Sequence, residues 1–203
     1  QFIRQKISDI EITPSQLALD PCSASCVVTD VNTGEIKALV TYPSYDNNKF
    51  SGSVDAEYYS RLNNDLSLPL FNNATQAQKA PGSTFKPIIA VAALEEGVIS
   101  LTDTITCTGL YQEITPHMRC WIYPGSHGPL DVEHGIMNSC NVFFAEVGHR
   151  LSTDENGNYL PDLGIEKIQK YASMFGLDEE SGIEISEKAP QMTTEKPEAS
   201  SIG

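Results

Sequence analysis

The sequence has few basic residues for its size. Its 203 residues include 13 Lys and Arg against 27 Asp and Glu, so its formal net charge is -14 at pH 7. A surface of this sign repels the phosphates of nucleic acids and the headgroups of anionic lipids. We therefore expect no nucleic-acid partner for this chain.

Long apolar runs and a leader sequence are also missing. No stretch approaches the roughly 18 apolar residues of a membrane-spanning helix. No basic and then apolar segment follows Gln1. We therefore expect no membrane segment in this chain, and we expect any signal or anchor to lie outside it.

Cysteine is sparse and irregularly spaced. The five cysteines form neither a dense disulfide framework nor a paired C-x-x-C zinc motif, and they do not indicate a cellular compartment. They are Cys22, Cys26, Cys107, Cys120 and Cys140.

Three potential metal ligands, Cys107, His117 and Cys120, stand in one connecting segment. Thiolate and imidazole groups in one loop can bind zinc. Their irregular spacing nevertheless favours a Cys107–Cys120 disulfide, or two unpaired thiols, over a metal. We predict no metal and no cofactor, and these three residues are the candidates for a metal site if one is bound. The other histidines are interpreted as solvated or helix-surface residues: His127, His134 and His149.

The residues that are present predict a mixed fold with a core. The hydrophobic content is 40%, which is enough for a packed interior in a chain of this length. Two apolar segments, 26–29 and 36–40, flank Asn32-Thr33-Gly34 and predict a β-hairpin. Apolar residues at helical spacing predict a buried helix over 83–96, which Gly97 would end. We expect an α/β fold of the α+β type, with an antiparallel sheet flanked by helices.

The remaining helices and strands are predicted from helix-capping residues and from the spacing of apolar residues. The Thr-, Gly- and Pro-rich segment 100–128 is expected to cross the surface with little regular structure. Helices are predicted over 131–138, where the first residue is an aspartate cap, and over 141–151. A last helix would carry an apolar stripe over 165–175, and a strand could follow over 182–185.

Ser83 and Lys86 form the strongest chemical pattern. They are three residues apart at the start of the buried helix, so both side chains project from one face near the free N–H groups of the first turn. A serine hydroxyl becomes a nucleophile when a neighbouring base takes its proton, and a lysine can do so when burial favours its neutral form. S-x-x-K alone is a chance pattern, but here it occurs once, at a loop-to-helix junction, inside P-G-S-T-F-K-P.

A second pattern, Ser139-Cys140-Asn141, lies at the break between two predicted helices. By itself this S-x-N triplet would be explained by Ser139 capping the following helix. In combination with the Ser83 pattern, a catalytic role is favoured.

The two patterns together resemble the class B penicillin-binding proteins, which are peptidoglycan D,D-transpeptidases. P-G-S-T-F-K-P is similar to the active-site signature of that family, whose superfamily carries S-x-x-K. Segment 28–45 is similar to the family's V-x-D-x-x-T-G-E-I-x-A-L-V-x-x-P-S-Y-D sequence, and 127–132 to its lead-in to the second motif. The resemblance implies the fold shared by penicillin-binding proteins and serine β-lactamases.

The resemblance also implies roles for individual residues. Ser83 would be the nucleophile, Lys86 its base and Ser139 a proton relay, while Asn141 and Thr84 would contact substrate. Ser83 would attack a D-Ala carbonyl of a peptidoglycan stem peptide and pass the acyl group to an amine of a second strand. A β-lactam would acylate the same serine.

One family motif is missing. K-[ST]-G, which in the family lines the cleft opposite the serine, occurs nowhere in this sequence. The resemblance therefore implies that residues 1–203 are a partial transpeptidase domain, incomplete at its C-terminal end. The third-motif portion and an N-terminal anchor or dimerisation region would lie outside it, and this chain could be inactive alone.

Alternatives and partners follow from the same resemblance. A β-lactamase or β-lactam sensor uses the same chemistry, although the E-x-x-L-N setting of class A enzymes is missing. A non-catalytic structural module is the alternative of another class. The expected partners are stem peptides, β-lactams, a glycosyltransferase and other cell-wall proteins. The expected location is the extracytoplasmic face of the bacterial cell membrane.

Overall fold

A computed structural model describes residues 2, 5, 6, 23–194 and 196–203. The described residues fall into two compact units. The first comprises the described residues up to Ala77 together with Ile183–Lys188, and the second comprises Gln78–Gly182 and Ala189–Gly203. Within this described part, no helix has the length and apolar character needed to cross a membrane.

The first unit is built on the predicted hairpin, which is confirmed. Strand β1 (Ala24–Thr29) pairs antiparallel with β2 (Ile36–Tyr42). The Asp30 carboxylate accepts hydrogen bonds from the backbone N–H groups of residues 32 and 33 and so closes the turn. Gly34 has a φ of +74°, a conformation that side chains disfavour.

Two helices follow the hairpin, α1 (Ala56–Asn63) and α2 (Asn73–Gln76), after a 3₁₀ turn at Asn47–Phe50. The Gln76 side chain donates to the carbonyl of Ser186 at 2.7 Å. The prediction of a strand over 182–185 is wrong, because this segment forms no strand and the residues after it bond to α2 instead.

The second unit contains both the S-x-x-K and the S-x-N pattern and the larger core. Its helices are α3 (Lys86–Glu95), α4 (Val132–Met137), α5 (Asn141–Leu151), α6 (Pro161–Met174) and α7 (Pro197–Ser200). Its strands are β3 (Ile105–Cys107), β4 (Leu110–Tyr111), β5 (Met118–Arg119) and β6 (Gly128–Leu130).

Helix α3 is buried on most sides, as its sequence predicts. Ile89, Ala92 and Ala93 are fully buried where α3 packs against α5 and α6. A 3₁₀ turn at Gly82–Phe85 leads into α3, and Pro87 sits in its first turn, where a missing N–H costs nothing. Gly97 has a φ of +67° just beyond the end of the helix.

Most of the segment 100–128 is irregular, as expected, but it also contains short strands and buried residues that the sequence did not indicate. Strand β3 pairs antiparallel with β6, and β4 with β5, so this segment forms two short ladders. Cys107, Tyr111 and Cys120 are buried rather than on the surface. For Cys107 the cause is alternation along β3, where Ile105 and Cys107 face the core and Thr106 faces outwards.

The predicted helices over 131–138 and 141–151 are confirmed as α4 and α5, and the predicted last helix as α6. The apolar stripe of α6 ends earlier than predicted, because Phe175 lies beyond the helix and its relative exposure is 55%. Helix α7 packs on α5 at Gly148 and on α6 at Gly164. A Cβ at Gly148 would lie 2.6 Å from the Pro197 carbonyl oxygen, so only glycine fits there.

Candidate active site

Ser83 and Lys86 lie at the junction of the 3₁₀ turn and α3. Ser83 is exposed, whereas Lys86 is 1% exposed and is among the largest fully buried side chains in the described part of the chain. A lysine is almost never buried this completely unless polar partners satisfy it. The buried Lys86 amine therefore requires polar partners within hydrogen-bond distance.

The Lys86 amine is surrounded by oxygen atoms of both sequence patterns. Its Nζ lies 3.0 Å from the Ser83 Oγ, 3.0 Å from the Ser139 Oγ, 2.9 Å from the Ser139 carbonyl oxygen and 2.8 Å from the Asn141 Oδ1. These residues are 53 and 55 positions from Lys86 in the sequence. The structure thus brings the two predicted motifs together on one atom.

The partners of Lys86 suit a neutral amine. A carbonyl oxygen and an amide oxygen can only accept, so the Ser139 carbonyl and the Asn141 Oδ1 each take one N–H. A neutral amine has two N–H groups and one lone pair. The lone pair is then free to accept a hydroxyl proton from Ser83 or Ser139, and the hydrogen-bond pattern therefore allows Lys86 to act as a base.

The electrostatics of the site point in the same direction. Burial lowers the pKa of Lys86 below its ordinary 10.5, while the thiols of Cys140 and Cys120 oppose this shift. No carboxylate is among the atoms bonded to its amine. A lowered pKa raises the fraction of neutral lysine available near neutral pH.

Ser139 occupies the break between α4 and α5 in an unusual conformation. Its φ is +47°, one of three positive values among the described non-glycine residues. The alternative role, in which Ser139 caps the following helix, is wrong: the Cys140 side chain is the cap and accepts from the Phe143 N–H. The Ser139 hydroxyl is therefore left to face Lys86.

Asn141 is the first residue of α5, and its amide orientation is determined by two neighbours. Its Nδ2 donates to the Arg119 carbonyl at 3.2 Å, which turns the Oδ1 towards Lys86. Strand β5 therefore holds the second motif from the other side. Arg119 was not singled out from the sequence, because a backbone carbonyl leaves no sequence signal.

Thr84 lies beside Ser83 and is exposed. Its hydroxyl donates to the Pro81 carbonyl at 2.7 Å and so closes the 3₁₀ turn. Its oxygen lone pairs can still accept a hydrogen bond from a ligand.

A second group of side chains, here named the thiol cluster, comprises Cys107, Cys120, His127 and Cys140. Its ligand atoms all lie within 4.8 Å of one another. The Cys120 and Cys140 sulfurs are 3.9 Å apart, and the Cys120 sulfur is 3.6 Å from the His127 Nδ1. All three cysteines are free thiols, so the alternative of a Cys107–Cys120 disulfide is not present.

The thiol cluster corrects the predicted metal candidates. His117 is not part of it: its ring is exposed and its Nδ1 lies 3.0 Å from the Ile114 carbonyl oxygen. His127, interpreted from the sequence as solvated, belongs to the cluster instead. Its Nε2 is buried and has no hydrogen-bond partner.

The donor set of the thiol cluster fits zinc. Three thiols and one imidazole are the ligands of structural tetrahedral zinc sites, whereas calcium and magnesium prefer oxygen. Burial raises the pKa of the Cys120 thiol, but backbone N–H groups of Ile122, Asn141 and Val142 outweigh it, so the net pKa lies below its ordinary value. These N–H groups favour a thiolate at that sulfur.

Comparison with known proteins identifies the family. The model of the penicillin binding protein transpeptidase domain matches residues 24–203. This chain belongs to that family. The resemblance read from P-G-S-T-F-K-P and S-C-N is thereby confirmed.

Comparison with individual proteins gives the same family as the family model. Peptidoglycan D,D-transpeptidase MrdA of Haemophilus influenzae is 37% identical over 172 residues, which are 84% of this chain and 24% of that protein. This chain therefore spans about a quarter of the length of that relative.

Solved structures confirm the fold of the family. A chain of a peptidoglycan synthase complex that coordinates polymerization and crosslinking matches with a TM-score of 0.76 and 28% identity, over 88% of this chain and 31% of that one. The ceftriaxone acyl-enzyme complex of penicillin-binding protein A from M. tuberculosis matches with a TM-score of 0.71 and 27% identity, over 90% and 41%. The predicted α+β transpeptidase fold is confirmed.

Proposed function

We propose that this chain carries the first two catalytic motifs of a serine D,D-transpeptidase that cross-links peptidoglycan stem peptides. The observation that supports this proposal is the convergence of Ser83, Ser139 and Asn141 on the amine of the buried Lys86. Family membership and the name of the H. influenzae relative support the same reaction.

In the proposed reaction, neutral Lys86 takes the proton of the Ser83 hydroxyl, 3.0 Å away, as the serine oxygen attacks the carbonyl of the penultimate D-Ala. The carbonyl carbon gains a bond to Ser83, and the bond to the terminal D-Ala nitrogen then breaks. The leaving amine must receive a proton. The Ser139 hydroxyl, 3.0 Å from the Lys86 Nζ, is placed to pass it on.

The second half of the proposed reaction reverses these steps. An amine of a second stem peptide attacks the acyl-enzyme, loses its proton through the same Ser139 and Lys86 groups, and releases Ser83. Asn141 holds Lys86 through its Oδ1, and we assign it a contact with substrate amides. The exposed Thr84 would accept a hydrogen bond from substrate beside Ser83.

A β-lactam would acylate Ser83 by the same attack on a strained amide. The M. tuberculosis neighbour, described as a ceftriaxone acyl-enzyme complex, supports this expectation. Because the serine hydroxyl is exposed and its base is buried behind it, a ligand can reach the nucleophile without displacing Lys86.

The whole protein's setting is part of the proposal. The K-[ST]-G motif of the family is expected beyond this sequence, as is an anchor that holds the enzyme at the extracytoplasmic face of the bacterial membrane. A glycosyltransferase would supply the glycan strands, and the match to a peptidoglycan synthase complex supports such a partner.

The test is the intact mass of the full-length protein after incubation with penicillin G. We expect one acyl adduct on wild type and none on Ser83→Ala, because the covalent bond forms at that oxygen. Ser53→Ala, at an exposed serine of the first unit, is the matched control and should be acylated like wild type. An unmodified wild-type protein, or an adduct that survives in Ser83→Ala, would refute the assignment.

A further inference from the structure

The end of strand β5 and the turn after it are joined to the second motif at two points. The Arg119 carbonyl accepts a hydrogen bond from the Asn141 Nδ2 at 3.2 Å, and the Trp121 Nε1 donates to the Asn138 carbonyl at 2.9 Å. The side chains of Arg119, Trp121 and Tyr123 are exposed. The backbone of this segment is therefore held beside the motif, while three of its large side chains face solvent.

The Arg119 guanidinium is held in place by an aromatic ring and not by an acid. Its central carbon lies 4.9 Å from the centre of the Tyr123 ring, which is a cation–π contact. The sequence has 27 Asp and Glu against 13 Lys and Arg, yet among the described residues no carboxylate pairs with Arg119. The ring leaves the N–H groups of the guanidinium available to an anion from outside the chain.

We propose that Arg119, held against Tyr123, binds a carboxylate of the donor stem peptide on the amino-terminal side of the D-Ala–D-Ala bond. This inference rests on the proposed function, because it names a feature of the substrate of that reaction. The free carboxylates of a stem peptide belong to its second residue, a D-glutamate, and to a third residue such as diaminopimelate. Arg119 would thus make the enzyme prefer the free acid over the amidated peptide.

The distances around Lys86 allow this contact. The Asn141 side chain bonds to Arg119 at one end, and at the other its Oδ1 lies 2.8 Å from the Lys86 Nζ. That Nζ is 3.0 Å from the Ser83 Oγ. The Arg119 carbonyl is therefore within roughly 11 Å of the serine oxygen, and an extended peptide covers this span in about three residues. The two residues before the attacked D-Ala are thus within reach of the guanidinium.

The chemistry of arginine suits this role. A guanidinium presents a planar pair of N–H donors that match the two oxygens of a carboxylate, and such charge-assisted bonds are stronger than neutral ones. The Tyr123 ring restricts the side chain before the substrate arrives, so less conformational freedom is lost on binding. The net charge of -14 repels an anionic peptide. A cation beside the motif opposes this repulsion where the peptide binds.

The first experiment measures kcat/KM of the full-length protein for release of the terminal D-Ala from three synthetic pentapeptides, with an amine acceptor present. One peptide has free carboxylates at D-glutamate and diaminopimelate, and the others are amidated at the second or at the third residue. We expect kcat/KM to fall about tenfold for one amidated peptide, because a hydrogen-bonded charge pair is lost. That peptide identifies the residue in contact with Arg119. Values within twofold for all three peptides overturn the proposal.

The variants assign the preference to one side chain. Arg119→Met keeps the backbone carbonyl that holds Asn141, and it should process all three peptides within about twofold of one another. Arg119→Lys should keep a smaller preference, because lysine retains the charge but not the paired donors. The control is Arg150→Met, in the last turn of α5, where the guanidinium already bonds to Glu146 at 2.9 Å. A preference that persists in Arg119→Met, or that Arg150→Met also loses, overturns the proposal.

The two proposals fail in different ways. Dissociation constants of the same peptides for full-length Ser83→Ala, with and without Arg119→Met, require no chemistry at Ser83. A tenfold preference for the free acid that disappears with Arg119→Met supports the Arg119 site even if Ser83 is not the nucleophile. Penicillin adducts at Ser83 without any peptide preference, in rates or in binding, overturn the Arg119 site and leave the proposed reaction intact.

Discussion

Replacing Lys86 by methionine separates the proposed catalytic role of this lysine from its structural one. Methionine keeps the length of the chain in the fully buried position but cannot take a proton. General-base catalysis contributes about 10²–10⁴-fold to a rate. We therefore expect the acylation rate of Lys86→Met by a β-lactam to fall by that factor, which corresponds to roughly 3–5 kcal/mol of transition-state stabilisation.

The stability of Lys86→Met should change far less than its activity. The variant leaves the Ser139 carbonyl and the Asn141 Oδ1 without their N–H donors, at a cost of roughly 1–3 kcal/mol each. Removing a desolvated amine offsets part of this cost. We expect a net loss of about 1–3 kcal/mol in the free energy of unfolding.

The pH dependence of stability gives a second signature. The pKa of Lys86 is lowered in the folded state, so between that pKa and 10.5 the unfolded chain binds a proton that the folded chain does not. Stability therefore rises with pH across this interval because of Lys86. This contribution should be absent in Lys86→Met.

The assay is the second-order rate of acylation by a fluorescent penicillin, with urea unfolding of the same preparations at several pH values. Lys37→Met, at an exposed lysine of β2 that pairs with Glu35, is the control and should acylate like wild type. Acylation of folded Lys86→Met within tenfold of wild type would show that another group takes the Ser83 proton.

Two further predictions concern backbone conformation. Ser139→Gly and Ser139→Ala both lose the relay hydroxyl, so both should acylate about 10²-fold more slowly, but the glycine variant should be more stable by about 1 kcal/mol because φ is +47°; equal stability in urea unfolding would contradict the strain at Ser139. Gly148→Ala should lower the free energy of unfolding by about 1–3 kcal/mol, because its Cβ would meet the Pro197 carbonyl. Gly125→Ala, whose nearest contact would be 3.2 Å, is the matched control, and an equal loss in both variants would contradict the packing argument.

The elements predicted from local patterns are those that local bonds determine. The hairpin follows from Asp30, whose carboxylate bonds to the two residues of the turn, and the helix α4 follows from its cap, Asp131. The two ladders in 100–128 were missed because β3 to β6 are two or three residues long. Strand β3 is stabilised by pairing with β6, which lies more than twenty residues away in the sequence. The spacing of apolar residues within a short segment does not predict such a pair.

The candidate site likewise has a part that the sequence predicted and a part that it did not. Ser83 and Lys86 are recognisable because one helical turn joins them, and Ser139 and Asn141 because they follow in the order of the family. The sequence did not predict that the four residues of the thiol cluster lie together. Its four residues come from β3, the ends of two loops and the cap of α5, and the spacing between them matches no short zinc motif.

The left-handed backbone at Ser139 limits which amino acids this position can accept. Threonine would supply the same hydroxyl to Lys86, but a β-branched side chain at a φ of +47° is a severe outlier. Asparagine and glycine tolerate this backbone but offer no hydroxyl. Two independent requirements, one chemical and one conformational, leave serine as the residue that meets both. A library of all twenty amino acids at this codon, selected for β-lactam acylation, should therefore return serine and exclude threonine.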